Sequence, residues 1–244
     1  MIKFDKTIFE VNKRLTVTLL EIGNEKNRLL EVENFFKYPD RVRDFLNAVP
    51  IQYASEQSIN LTNSINSFPG YQIELKYKLN DLNTFLNKAY KLAFNYSLTQ
   101  DAISKLTYQC IDGNEAIRRV SNFPHIDPAL FASNIFLNYD SEIGEDSGTA
   151  FYRNKNSGNE YMPMNNSIYR YNRDFVFKSK LDSLTRYAPI TNNEDWEMYH
   201  LSHQKFNKLN LYEGALYHNA FMKLDTFTTT PRISLSAILQ SCGI

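Results

Sequence analysis

The residues best suited to chemistry are a histidine and an aspartate two positions apart, His125 and Asp127, in a run whose composition favours an extended chain. Side chains at positions i and i+2 of a strand point to the same side, so these two can bind one metal ion together. A third ligand has to come from elsewhere, and His218, in the strand-like run from Leu209 to Asn219, is the best candidate. Two histidines and one carboxylate leave coordination positions open, as non-haem Fe(II) sites require.

A second short pattern follows His218. In the alternating run from Pro231 to Ser236, we expect Arg232 and Ser234 to face the same way. A guanidinium can bind a carboxylate through two parallel hydrogen bonds, and a serine hydroxyl can add another. The ordered set therefore predicts a metal centre near a residue that binds a carboxylate.

The surrounding sequence resembles a known class of proteins. Roughly residues 105 to 240 are similar to the Fe(II)- and 2-oxoglutarate-dependent dioxygenases, and within them to the prolyl-4-hydroxylase-like branch. Residues 131–138 resemble a core strand of that branch with its "Leu-Asn" end, and residues 147–152 resemble its "Gly-Gly-x-Thr-x-Phe" return strand. A second likeness, to small phage and bacterial oxygenase-like proteins, is carried by Leu29 to Phe36, Tyr38 to Arg43 and Pro69-Gly70.

The resemblance implies a site and a reaction. Fe(II) would be held by His125, Asp127 and His218, and Arg232 with Ser234 would bind the far carboxylate of 2-oxoglutarate. Oxidative decarboxylation of 2-oxoglutarate to succinate with dioxygen would be coupled to hydroxylation of a C–H bond. The expected substrate is a peptide or protein side chain such as proline, and a free amino acid or another small metabolite is the alternative.

The sequence departs from that branch at two places. Phe136 stands where many of these hydroxylases have a tyrosine that touches the cosubstrate, and Tyr108 and Tyr139 are candidate replacements. Ser147-Gly148 replaces the pair of glycines. Both departures concern how the cosubstrate is bound rather than the class of reaction.

Other kinds of protein remain open from the residues alone. One is a non-catalytic jelly roll that binds metal as a binding or structural module. Another is a divalent-metal hydrolase, which needs a general base beside the metal. Glu213 is the obvious nearby acid, but we expect it to face away from His218. Residues 192–206, with a short helix expected around residues 195–201, carry His200 and His203 at spacing i and i+3, which form a rival metal site.

Alternating and helical patterns predict the elements that hold these residues. Strands are expected at residues 7–11, 15–22, 28–32, 104–111, 132–138, 148–153, 208–218 and 232–239. One helix should begin at Pro39, and another should span residues 81–96. The pattern, together with the resemblance, predicts a single mainly β domain with supporting helices. Residues 1–100 would support a double-stranded β-helix, a cupin-like jelly roll, formed by residues 101–244.

Composition limits the partners. The 27 basic and 27 acidic side chains cancel, so no overall charge favours nucleic acid or an anionic membrane. The chain has only two cysteines, Cys110 and Cys242, which are too few for a disulfide framework. It begins without the apolar run of a signal peptide, so we expect a cytoplasmic protein, in a host cell if it is phage-encoded. The oligomeric state is left open.

Overall fold

The protein is mainly β, with two sheets of antiparallel strands and a small helical layer. The computed structural model describes residues 5–48, 70–75, 78–97, 103–111, 124–127, 129–144, 146–162, 190–223 and 226–241. The helices are α1 (Pro39–Ala48) and α2 (Asn80–Phe94). The strands are β1 (Thr16–Ile22), β2 (Asn27–Glu33), β3 (Gly70–Glu74), β4 (Ile103–Ile111), β5 (Ala129–Phe136), β6 (Ser147–Asn154), β7 (Trp196–His203), β8 (Leu209–Glu213), β9 (His218–Met222) and β10 (Arg232–Ser241).

The larger sheet has the strand order β1-β2-β8-β5-β10-β4-β3, and the smaller has the order β7-β6-β9. Strand β10 of the larger sheet alternates strictly between two environments. Ile233, Leu235 and Ala237 belong to the main hydrophobic core, which includes residues of both helices. Arg232 and Ser236 lie on the opposite face and line a cavity. One face of the large sheet is therefore covered by helices, and the other is polar.

The two helices form where the sequence predicts them. Pro39 takes the first position of α1, where its missing N–H costs nothing, and Val42 and Leu46 are fully buried on one face. In α2, Leu82, Leu86 and other apolar residues at helical spacing are buried in the core. Within the described ranges, no helix is both long and apolar enough to cross a bilayer.

The small sheet faces the polar side of the large one. Phe151 of β6 packs edge-on against Tyr212 of β8, with ring centroids 5.1 Å apart, in a cluster that also holds Ala132 and Leu29. A backbone bridge between His125 and His218 extends the small sheet by one short segment beyond β9. The segment 124–127 thus reaches the space between the sheets.

Most predicted strands are confirmed to within a few residues, and three predictions are wrong. Residues 6–9 form a 3-10 turn instead of a strand, because Asp5 accepts hydrogen bonds from the Thr7 N–H and hydroxyl. Residues 196–203 form strand β7 instead of a helix, because they pair along β6. The run 208–218 is divided by a turn at Gly214 into β8 and the start of β9, which belong to different sheets.

A buried carboxylate ties the β1–β2 turn to the end of β6. Glu160 is fully buried and accepts hydrogen bonds from the Asn24 N–H (2.8 Å), the Asn27 amide (2.9 Å) and Arg153. We expect Glu160→Gln to lower the free energy of unfolding by about 3 kcal/mol, because it leaves buried donors without a charged partner. Urea denaturation would measure the change.

Glu197 provides the matched control, because it pairs with the same Arg153 at 2.8 Å but its side chain is 45% exposed. Glu197→Gln is expected to cost only about 0–1 kcal/mol. Equal losses in the two variants would contradict a special role for burial at Glu160.

Candidate metal site and carboxylate pocket

His125, Asp127 and His218 come together at one point between the sheets. One ligand atom from each lies within 4.8 Å of the other two. The His218 Nε2 is 3.4 Å from the Asp127 Oδ2, and the two imidazole rings are 4.6 Å apart between centroids. The sequence prediction that these three residues converge is confirmed as geometry.

Backbone hydrogen bonds set this convergence. His125 and His218 exchange both of their N–H···O bonds, at 2.9 and 2.8 Å, so the two ligand-bearing segments are in fixed register. The Asp127 N–H donates to the Gly214 carbonyl at 2.9 Å. A Cβ at Gly214 would lie 2.3 Å from the Ala129 carbonyl oxygen, so only glycine allows the β8–β9 turn to approach this closely. The turn that divides the predicted strand therefore holds Asp127 beside His218.

A hydrogen bond to the backbone sets the orientation of the His218 ring. Its Nδ1 lies 2.9 Å from the Leu216 carbonyl oxygen, which can only accept a hydrogen bond. Nδ1 therefore carries a proton, and Nε2 is the ring nitrogen that faces Asp127 and the cavity. In metal sites, the ring nitrogen that does not bind the metal usually donates a hydrogen bond to an acceptor such as a backbone carbonyl.

Asp127 is held as a carboxylate. Its burial raises the pKa, but the hydrogen bond with His218 and the nearby imidazoles of His218 and His125 outweigh that effect, so the pKa lies below its ordinary value. The site thus offers one carboxylate oxygen and two imidazole nitrogens as donors.

A cavity of about 270 Å³ opens from the three residues and runs along the polar face of the large sheet. Both sheets contribute to it. Its lining includes Lys105, Asn134, Tyr212 and Arg232 of the large sheet, with Thr149 and His218 of the small one. A ligand that contacts His218 can therefore extend toward Arg232 without leaving the cavity.

Arg232 lies at the inner end of this cavity and is 2% exposed. Its Nε donates to the Gln204 Oε1 at 3.0 Å, and its guanidinium lies over the Phe136 ring, 5.3 Å from the centroid. Burial lowers the pKa of the guanidinium to about 10. No carboxylate contacts Arg232 within the described residues, so a buried cation faces the cavity without a counter-charge.

The "Leu-Asn" end of β5 explains how Arg232 is positioned. The buried Asn138 side chain accepts from the Ile233 N–H (2.7 Å) and the Gln204 amide (3.0 Å), and it donates to the Pro231 carbonyl (2.9 Å). Gln204 in turn accepts from Arg232. One asparagine therefore fixes both the backbone around Arg232 and its side-chain partner.

Ser234 shares a face of β10 with Arg232, as predicted. It is fully buried, and its hydroxyl lies 3.4 Å from the Gln109 Oε1.

Tyr108 and Tyr139 do not replace the tyrosine that is missing at Phe136. The Tyr108 hydroxyl donates to Asn47 on the helical side of the sheet, and the Tyr139 hydroxyl donates to Asp40 near the surface.

Tyr212 is the cavity phenol that the sequence analysis missed. It is fully buried, its ring lies 4.9 Å from that of His218, and its oxygen accepts from the Asn134 amide at 3.1 Å. Burial raises its pKa well above the ordinary value, so it stays neutral. The alternation of Leu209 and Leu211 with polar residues was the signal that could have placed Tyr212 on the cavity face.

The rival histidine pair does not form a site. On strand β7, residues three positions apart point to opposite faces, so His200 packs near Phe151 while His203 is exposed. Glu213, at the end of β8, is exposed and does not line the cavity within the described residues. Among the described residues, the metal-binding group that the geometry provides is His125, Asp127 and His218.

Comparison with known proteins gives a family but no activity. Residues 13–233 match the model of a "Family of unknown function (DUF6445)". No curated protein matches the chain. The matched range covers most of the chain and includes His125, Asp127, His218 and Arg232, so this protein belongs to the DUF6445 family.

Proposed function

We propose that this protein is an Fe(II)- and 2-oxoglutarate-dependent dioxygenase that hydroxylates a C–H bond. One observation carries the proposal: a cluster of two histidines and one aspartate shares a cavity with a buried arginine that has no counter-charge in the described residues. A metal ion bound at one end of the cavity and a carboxylate bound by the arginine at the other end would account for both features.

The donor set suits Fe(II). Two neutral imidazoles and one carboxylate on one side of an ion leave the other coordination positions open for ligands from the cavity. The Leu216 carbonyl holds His218 in the tautomer that binds metal, and the lowered pKa of Asp127 keeps its negative charge. When bound, Fe(II) supplies oxidative decarboxylation of 2-oxoglutarate by dioxygen, coupled to hydroxylation.

The remaining residues bind and orient the cosubstrate. Arg232, held by Gln204 and Asn138, is positioned to bind the far carboxylate of 2-oxoglutarate. The neutral pair Asn134 and Tyr212 lies between Arg232 and the metal ligands, where it can donate hydrogen bonds without adding charge. The enclosing sheets exclude water from the part of the cavity near Arg232.

We also propose that the two sheets form a double-stranded β-helix, or jelly roll. The strands support this, because from β4 onward the chain passes repeatedly between the sheets. It runs from β4 in the large sheet to segment 124–127 beside β9, then to β5, to β6 and β7, to β8, to β9 and to β10. The metal ligands come from segments of the small sheet, and Arg232 comes from the large one.

The alternatives have less support. A purely structural metal site has no need for a buried arginine in the same cavity. A hydrolase would need a general base beside the metal, and Asp127 is the only carboxylate that lines the cavity in the described part of the chain.

The test is succinate formation from 2-oxoglutarate by protein loaded with Fe(II) under anaerobic conditions and then exposed to air. Uncoupled turnover needs no knowledge of the substrate. Calorimetry with Mn(II) in place of Fe(II) measures 2-oxoglutarate binding without turnover. Succinate formation with metal-dependent binding is expected. The absence of both would refute the proposal and favour a binding module.

A further inference from the structure

The cavity contains a second cation, Lys105, far from Arg232. In the antiparallel pairing of β4 and β10, Lys105 lies opposite Ile238, near the start of β4, and Arg232 lies opposite Ile111 at the end of that strand. Both cations line the cavity. Lys105 is exposed and Arg232 is buried. β5 begins at Ala129, two residues after Asp127, at the same end of the sheet as Lys105. Lys105 is therefore at the open, metal-proximal end.

The charges of the loaded site balance without Lys105. In the loaded site, a dipositive metal ion and Arg232 together offset Asp127 and the two carboxylates of 2-oxoglutarate. No anionic side chain pairs with Lys105 within the described residues. A substrate that brings one negative charge would complete the balance.

The side chains beside Lys105 can form hydrogen bonds, and one of them, Glu74 of β3, which lies opposite Thr107, is acidic. Thr107 and Gln109 follow it on the cavity face of β4, and Gln72 of β3 pairs with Gln109 across the strands. Side-chain oxygens of these residues can accept from an ammonium group. A cation beside such acceptors suits a molecule that carries both a carboxylate and an amine.

The size of the cavity restricts that molecule. Its volume of about 270 Å³ must hold both the cosubstrate and the substrate. Sites for drug-sized ligands occupy roughly 300–1,000 Å³. The space that remains beside 2-oxoglutarate fits a small molecule better than a folded protein segment.

We infer that the substrate is a free amino acid, whose carboxylate is bound by Lys105 and whose amine is bound by the adjacent polar side chains. This inference rests on the proposed function and selects the small-metabolite alternative over a peptide or protein side chain. Lys105 is then the residue that determines specificity for a free carboxylate.

The test uses the twenty free L-amino acids, their C-terminal amides and proline-containing peptides. Binding is measured in the presence of Mn(II) and 2-oxoglutarate by the broadening of ligand proton NMR signals, and coupling is measured by stimulated succinate formation with Fe(II). We expect at least one free amino acid to bind and stimulate, and its amide to bind about 10- to 100-fold more weakly, as for loss of a charged hydrogen bond.

The variant Lys105→Met should abolish the preference for the acid over its amide, and Lys105→Arg should restore it. Lys88→Met, which removes an exposed lysine on α2, is the matched control and should keep the preference. Stimulation by peptides only, binding of no free amino acid, or an unchanged preference in Lys105→Met would overturn the inference while 2-oxoglutarate turnover persists. Loss of metal-dependent 2-oxoglutarate binding in the unmodified protein would instead refute the proposed function, and this inference with it.

Discussion

Replacement of Asp127 by asparagine is expected to weaken binding of Fe(II) or Mn(II) by at least about 100-fold and to abolish succinate formation. Even substitutions behind a metal ligand cost about 10- to 100-fold in affinity or activity, and this one removes the only anionic donor of the set. Asparagine preserves the shape of the side chain, and the backbone bond from residue 127 to Gly214 is unaffected. Calorimetric titration with Mn(II), with thermal unfolding measured in parallel, separates lost binding from lost structure.

Glu213→Gln is the matched control for this prediction. It also removes one carboxylate, at the end of β8, but from an exposed position that does not line the cavity in the described structure. Metal affinity and succinate formation should stay within about twofold of the unmodified protein, because an exposed charge outside the cavity is screened by solvent. If Asp127→Asn and Glu213→Gln bound metal equally well, the proposed metal centre would be wrong.

The sequence predicted elements whose signals are local. Alternation placed strands β1, β2, β4, β5, β6 and β10 to within a few residues, and Pro39 marked the start of α1. The ligands His125 and Asp127 were found for the same reason, since their spacing on an extended segment determines that they face the same side. His218 and Arg232 were found from the strand-like runs that carry them, and the resemblance then implied their roles.

The errors arose where distant pairing decides the structure. The run around Trp196 has polar and apolar residues that fit a helix or a strand, and its pairing with β6 selects the strand. That change of period separates His200 from His203 and removes the rival site. The turn at Gly214 depends on a close contact with the Ala129 carbonyl, which comes from a segment more than 80 residues earlier. No residue near Gly214 in the sequence indicates that contact.

Apart from Asn138, which the "Leu-Asn" likeness marks, the supporting residues of the site could not be predicted from the sequence. Gln204, Asn138 and Arg232 meet although they are separated by 28 and 66 positions in the chain. Polar residues on strands are common, so nothing in their local context distinguishes a buried network from a solvated face. The position of Lys105 at the open end of the cavity likewise follows from the register of β4 and β10, which the sequence alone does not give.

Replacement of Arg232 by methionine is expected to weaken binding of 2-oxoglutarate to the Mn(II)-loaded protein by at least about 30-fold. Truncation of one partner in a buried, hydrogen-bonded charge pair costs about 2–5 kcal/mol. Arg232→Lys keeps the charge but loses the forked geometry and the bond to Gln204, so an intermediate loss is expected. Calorimetric titration of 2-oxoglutarate measures both.

The stability of the ligand-free protein distinguishes a binding role from a structural one. Burial lowers the pKa of Arg232 to about 10. The folded protein therefore keeps this cation buried at a cost in free energy, which a bound carboxylate would offset. An apolar side chain of similar length removes that cost, so Arg232→Met should unfold at nearly the same temperature without ligand, and 2-oxoglutarate should no longer raise it. Arg41→Met, at an arginine whose side chain is 57% exposed, should leave the shift intact. An unchanged ligand-induced shift in Arg232→Met would place the cosubstrate carboxylate elsewhere.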